Sequence, residues 1–297
     1  MRRALTILMC MIASQAFAEH IIEIGARGGI ANWSGHHTYV SGRVGGQGAI
    51  DVNYIYHSPF IIGVKMGLSV QMHRAGYGRT NYEDRYYFND LYGDDLLVRY
   101  KIGNLSEMYT RWSVSIPLQL AIQKNGVNFY IGPRIVFPFA GSWTEVAENA
   151  SLSVYYPREN NTVYESVPLA ASRSFSERNS GTSKKMKPQI WGSTELSYDI
   201  LLKEGRNKRS YLSVGIYADI SFKRESIDSG TRESILMLSD MTKGFPLHRE
   251  LTPIVGGNRQ GQELVQNQLL YDVGIKIAYR FAITLDQGRC KVCRHEE

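Results

Sequence analysis

From Leu269 to Phe281 every second side chain is apolar, and a period of two is the signature of a β-strand with two unlike faces. Leu269, Tyr271, Val273, Ile275, Ile277, Tyr279 and Phe281 form one face. Leu270, Asp272, Gly274, Lys276, Ala278 and Arg280 form the other. With 43% of the chain apolar, seven apolar residues in a row on one face has a chance of roughly 0.003.

The same alternation recurs along the chain. Leu212, Val214, Ile216, Ala218, Ile220 and Phe222 alternate with Ser213, Gly215, Tyr217, Asp219 and Ser221. Seven such segments precede the last one, so the pattern predicts eight strands. They cover about 20–32, 44–57, 59–74, 109–124, 127–140, 188–202, 210–223 and 267–283. Several exceed the usual five or six residues of a globular strand and match the 9–11 needed to cross a bilayer at a tilt.

Connections alternate short and long. The short ones are His57-Ser58-Pro59, Asn125-Gly126 and 203–209. Asn-Gly is the preferred type I′ hairpin turn because both central residues need positive φ. The long ones span about 33–43, 75–108, 141–187 and 224–266. Short turns on one side and long loops on the other are the habit of transmembrane barrels.

Residues 1–18 read as a secretory signal peptide. Arg2 and Arg3 supply the charge, Ala4 to Ala13 is a short apolar core, and Ala16-Phe17-Ala18 is a small-x-small cleavage pattern. Cleavage after Ala18 assigns 19–283 to the barrel and 284–297 to a periplasmic tail. No run of 18 apolar residues follows, so no membrane-crossing helix is expected. Only a closed barrel can take β structure through lipid, because hydrocarbon offers backbone groups no partners. The expected fold is therefore all-β, an eight-stranded antiparallel up-and-down transmembrane barrel. The competing reading, a soluble barrel, would put the apolar face inside.

The polar faces carry Glu23, Asp51, Glu195, Asp199, Asp219 and Asp272 against Arg27, Lys65, Arg134, Lys276 and Arg280. Eight strands leave an interior just wide enough for side chains. Near-balanced charges there predict a salt-bridged plug rather than a water channel. The formal charge of +6 is spread along the chain, and no nucleic-acid patch is expected.

Together the signal peptide, the alternating strands and the loop asymmetry resemble small outer-membrane barrels of the OmpA/OmpX type, including the PorT-like "outer membrane protein beta-barrel" group. Gly274, Tyr279 and Phe281 resemble the terminal-strand signal read by the barrel-assembly machinery. Sixteen residues follow Phe281, whereas many members of that group end on the aromatic. The resemblance implies an outer-membrane location in a Gram-negative-type envelope, with the lipid bilayer and the assembly machinery as partners.

The segment 75–108 is rich in tyrosine, with Tyr77, Tyr82, Tyr86, Tyr87 and Tyr92 interleaved with acids. Tyrosine gives contact area at low entropic cost, which suits a surface for an extracellular protein or glycan. Equally, the flanking strands could extend above the membrane and pack these rings. Asp94-Asp95 with His248, and the pair His57-Ser58, are the nearest approach to hydrolase chemistry, and neither forms a convincing constellation. His36-His37 lacks further ligands at metal spacing, and no cofactor motif occurs. Cys290 and Cys293 could form a disulfide in an oxidising periplasm. The expected role is structural or surface-interacting, without catalysis. A part in a secretion or transport assembly, and a hydrolase at the barrel rim, are the alternatives.

Overall fold

The computed structural model describes residues 19–37, 39–57, 62–89, 95–156, 162–163, 175–182, 187–205, 208–222, 234–238, 249–251, 254, 258–259 and 262–284. The signal-peptide segment, Tyr92, Asp94, His248, Cys290 and Cys293 lie outside them.

Eight long strands carry the fold. They are β1 (Glu19–His37), β2 (Gly45–His57), β3 (Ile62–Asn89), β4 (Asp95–Lys124), β5 (Val127–Tyr156), β6 (Gln189–Glu204), β7 (Lys208–Ser221) and β8 (Val265–Thr284). Each pairs antiparallel with its neighbour in the chain, and β8 returns to pair with β1. The sheet is a closed up-and-down ring of eight strands among the described residues, which leaves no free edge along its wall. Glu19 lies opposite Thr284, so first and last strands begin and end together. Asn125 and Gly126 turn β4 into β5 with φ of 53° and 81°, the positive values that the type I′ turn demands.

The seam between β1 and β8 depends on a glycine contact. Gly29 faces Gly274 across it. A Cβ on Gly274 would stand 2.2 Å from the Gly28 carbonyl oxygen, so any larger residue would push the closing strands apart.

In the part of the ring nearest the termini, apolar residues face outward. Ile216, Ile275, Ile50 and Leu120 are each more than half exposed. Aromatic residues border this band. Tyr54, Phe129, Tyr198 and Tyr279 lie toward the short-turn end, and Trp112, Phe137, Phe139 and Phe222 toward the other. The charged residues of the same strands point inward and are buried.

β3, β4 and β5 then continue far past the other strands. The expectation of a loop over 75–108 is corrected: β3 runs on to Asn89 and β4 begins at Asp95. Likewise β5 runs to Tyr156 instead of ending near 140, and Phe175–Thr182 pairs back onto it. Ser41–Arg43 adds to the far edge, against β3. The result is a curled head sheet rising from one side of the barrel.

Two breaks in phase hid these extensions from the two-residue pattern. A bulge at Phe139 shifts which side chains of β5 face inward, seen as the register step between Trp112 and Ser113 of β4. Higher up, Asn81, Gly103 and Asn149 drop out of the ladder at one level across three strands. Asn81 and Asn149 adopt φ of 53°, a left-handed conformation asparagine tolerates. In β3 the buried positions change there from Ala75 and Tyr77 to Tyr82, Asp84 and Tyr86.

Above the first of these breaks the polarity is reversed. Tyr77, Tyr82, Leu96, Ile102, Leu105 and Leu152 are buried together inside the head. Glu83, Arg85, Arg99 and Lys101 face outward. Ile235, Leu236, Leu251, Ile254 and Leu264 from the last long connection join the head's core as a cap.

Candidate functional site

Three chemically distinct regions are stacked along the barrel. The first is the charged interior, to which every strand but β4 contributes at least one of the eleven charged residues. At the level nearest the termini, Glu23 of β1 accepts from Lys276 Nζ at 2.5 Å and from Arg280 Nε at 2.7 Å. Lys65 of β3 reaches Glu23 at 3.1 Å and Glu195 of β6 at 2.8 Å. Lys276 also meets Glu195 at 2.9 Å, and Arg280 meets Asp199 at 2.7 Å. The Tyr130 ring lies under both Lys65 and Arg280, with centroid distances of 4.2 and 5.4 Å.

One level up, Arg27 is the hub. Its Nε donates to Asp51 and its Nη1 to Asp219, both at 2.8 Å. Arg134 Nε lies 3.6 Å from Asp219. Ser69 and Gln71 accept further bonds from Arg27. His73 Nε2 is 2.8 Å from Asp272. All eleven charged residues named from the alternation therefore face the interior, none more than 7% exposed. Bonds run between strands far apart in sequence, so the network ties the ring across its bore. Such buried pairs contribute little net stability, but removing one member strands its partner in a medium that cannot solvate it.

The second region is the head's interior. Its floor is Arg111, whose guanidinium stands 5.2 Å from the centre of the Trp191 ring. Gln189 accepts from both Arg111 and Trp191 Nε1, at 3.4 and 2.9 Å. Just above, Glu107 of β4 and Glu145 of β5 lie directly opposite one another, both fully buried. The Ile254 amide donates to Glu107 at 2.5 Å and pins the cap there. Among the described residues, neither carboxyl oxygen of Glu145 has a hydrogen-bond partner. Burial, reinforced by the Glu107 carboxyl, holds the Glu145 carboxyl well above the usual carboxylate range. Higher still, Asp84 accepts from Tyr100 Oη at 3.2 Å and Ser234 Oγ at 3.4 Å, a second fastening of the cap. Asn179 Nδ2 donates to the Leu251 carbonyl at 2.6 Å, a third.

The tyrosines therefore divide. Tyr77, Tyr82 and Tyr86 fill the head's core rather than offering a surface, because they fall on the inward phase of an extended strand. Tyr87, at 66% exposed, faces out. Tyr279 faces out and Phe281 is half-buried on β8, while Gly274 closes the seam. Asp95 is exposed at the start of β4, and His57 is buried at the foot of β2.

The third region is the head's outer wall, where charged residues are accessible. Arg85, Arg99 and Ser153 form one row across β3, β4 and β5, and Glu83, Lys101 and Ser151 the next. A depression of about 380 Å³ lies over these six side chains. The two-residue pattern does not single out Glu107, Glu145 or this wall. Their alternation (Leu105, Glu107, Tyr109, Arg111) was there to be found, but mixed apolar and charged residues on one face disguised it.

No protein-family model matches the chain, and neither does any curated protein. Among solved structures it is similar to the attachment invasion locus protein Ail of Yersinia pestis, at 10% identity, 89% coverage of this chain, 98% of that chain and a TM-score of 0.27. Neisserial surface protein A gives 8% identity, 88% and 97% coverage and 0.27. The outer membrane protein OprG of Pseudomonas aeruginosa gives 10%, 91% and 96% coverage and 0.28. Superpositions this loose leave the assignment of the fold to the chain's own hydrogen-bonded ring.

Proposed function

We propose that this chain is an outer-membrane barrel whose lower ring sits in the bilayer and whose head is a surface platform for partners, with no catalytic role. The carrying observation is the reversal of polarity within one continuous sheet. Most aliphatic residues of the lower ring face outward, and those of the head are buried inside it. A wall of exposed isoleucines is unfavourable in water, and a wall of arginines is unfavourable in hydrocarbon. The same strands meet both solvents, so each end matches a different one. The aromatic borders fall where a bilayer's interfaces would lie.

The end with the termini and the short turns faces the periplasm, and the head faces outward. Gly274, Tyr279 and Phe281 make the last strand a substrate for the assembly machinery, and Gly274 also serves barrel closure. A single-cysteine labelling experiment tests the placement. In a Cys290→Ser/Cys293→Ser background, Ser153→Cys on the head should react with an impermeant maleimide on intact cells. Asn128→Cys is unsuitable because it is buried; Lys124→Cys, at the short-turn end, should react only after the outer membrane is opened. Equal labelling of both on intact cells, or recovery of the folded protein in the soluble fraction, would refute the placement. A band that shifts on boiling in SDS should accompany the folded protein.

A further inference from the structure

The outer wall of the head places two arginines where strand pairing alone would avoid them. Arg85 and Arg99 are directly opposite across β3 and β4. Like charges in that position destabilise a sheet. Both side chains are exposed, and neither has an ion-pair partner among the described residues. Arg99 is held in place by the Tyr155 ring, 5.0 Å from its guanidinium carbon. The next row down is different. Lys101 Nζ is 2.5 Å from Glu83, so that lysine is neutralised. Ser151 and Ser153 put hydroxyls at the third strand of each row. The depression over this tile holds about 380 Å³, enough for one or two sugar rings.

We propose that this tile binds a glycan carrying phosphate or sulfate esters. The two guanidiniums grip one ester group, for which their planar donor forks are suited. Glu83 and the two serines then take hydroxyls of the adjoining ring. Glu83 also repels a second anion from the lower row, so the site selects an ester next to free hydroxyls rather than any polyanion. The ligand is not the headgroup of the surrounding lipid. From Trp112, at the edge of the apolar band, β4 climbs about 40 Å to Arg99, or about 30 Å of height at a tilt near 45°. The headgroup layer is only about 5–8 Å deep on each side. This proposal rests on the membrane placement above, since that is what turns the head's wall toward the outside.

The test uses full-length protein refolded into neutral-lipid vesicles, with calorimetric titration of sulfated dextran oligosaccharide, the unsulfated oligosaccharide and inorganic phosphate. Sulfated oligosaccharide should bind, and the unsulfated one should not. Arg85→Gln/Arg99→Gln should weaken binding at least tenfold. Arg74→Gln/Arg178→Gln, which removes the same charge from other exposed positions, should change it less than twofold. Glu83→Gln should strengthen phosphate binding and narrow the gap between phosphate and oligosaccharide. Vesicles containing anionic phospholipid should not compete. Failure of the sulfated probe to bind, equal loss in both arginine pairs, or competition by anionic vesicles would each overturn the proposal. In every arm the heat-shifted gel band reports the barrel separately. Its loss would indict the membrane reading, and its retention with no binding would indict the tile alone.

Discussion

The lower ring and the head are built from the same three strands, yet they bury opposite kinds of side chain. Below Phe139, the interior of β3, β4 and β5 is Lys65, Ser69, Gln71, Ser115 and Arg134. Above it the interior is mainly Tyr82, Leu96, Ile102, Leu105 and Leu152, with Asp84, Glu107 and Glu145 set among them. Burial itself is thus indifferent to polarity; the solvent on the far side of the wall decides which residues go in. Where hydrocarbon lies outside, polar groups gain by meeting one another in the bore. Where water lies outside, apolar groups gain by leaving it.

The contrast can be broken at several points. The largest effect should come from the charged interior. Arg280→Met takes from Asp199 its closest cation and from Glu23 one of three, and should cost about 3–5 kcal/mol in urea unfolding from lipid vesicles. A cost below about 1 kcal/mol would mean that the network is not what ties the ring. Next comes the outer wall. Ile216→Lys, on the apolar band, should cost about 2–4 kcal/mol. The matching change on the head, Ser180→Lys at an exposed position opposite Thr144, should stay within about 0.5 kcal/mol. Similar costs at both positions would mean that one solvent bathes the whole molecule.

A smaller effect, of opposite sign, is expected at Glu145. Its carboxyl titrates higher in the folded protein than in the unfolded chain, so the folded state holds more protons. Stability is therefore undiminished below the ordinary carboxylate range and falls as pH rises through and above it, until the folded group also ionises. Glu145→Gln should raise stability at neutral pH by about 1–3 kcal/mol and flatten the pH dependence of unfolding. An unchanged pH profile would place the uncompensated charge elsewhere. The smallest effect belongs to the Glu83–Lys101 pair. Both side chains are more than half exposed, so a double-mutant cycle should find no more than about 0.2–1 kcal/mol, weakening with salt. A larger coupling would argue that the head's wall is shielded from water.

Much of the lower ring was legible in advance because one rule governs all of it. From Leu212 to Phe222 and from Leu269 to Phe281 nothing interrupts the period of two, so strand, face and neighbour follow together. The eleven interior charges were legible for the same reason, each being an odd member of an apolar-alternating run. Their partners were not. Nothing in the order of residues says that Arg27 meets Asp219, 192 positions away, or that Lys65 meets Glu195. The head was legible only in part. That the strands run on through 75–108 and pack their tyrosines was one of two readings, and it holds for Tyr77, Tyr82 and Tyr86. But Phe139, Asn81, Gly103 and Asn149 each reset the phase, and Tyr77 and Glu107 share an inward face that looks mixed on paper.

What the chain's order of residues determined alone was local: which segments extend, where Asn125-Gly126 must turn, and which of two faces each side chain takes. Those choices follow from steric limits on φ and from alternation, both of which act within a few residues. Closure of β1 on β8, the pairing of charges across the bore, the seating of Ile254 on Glu107 and the alignment of Arg85 with Arg99 were decided only by the folded ring. Strand length, register and loop return bring those groups together from opposite ends of the chain, and no short-range preference encodes such distances.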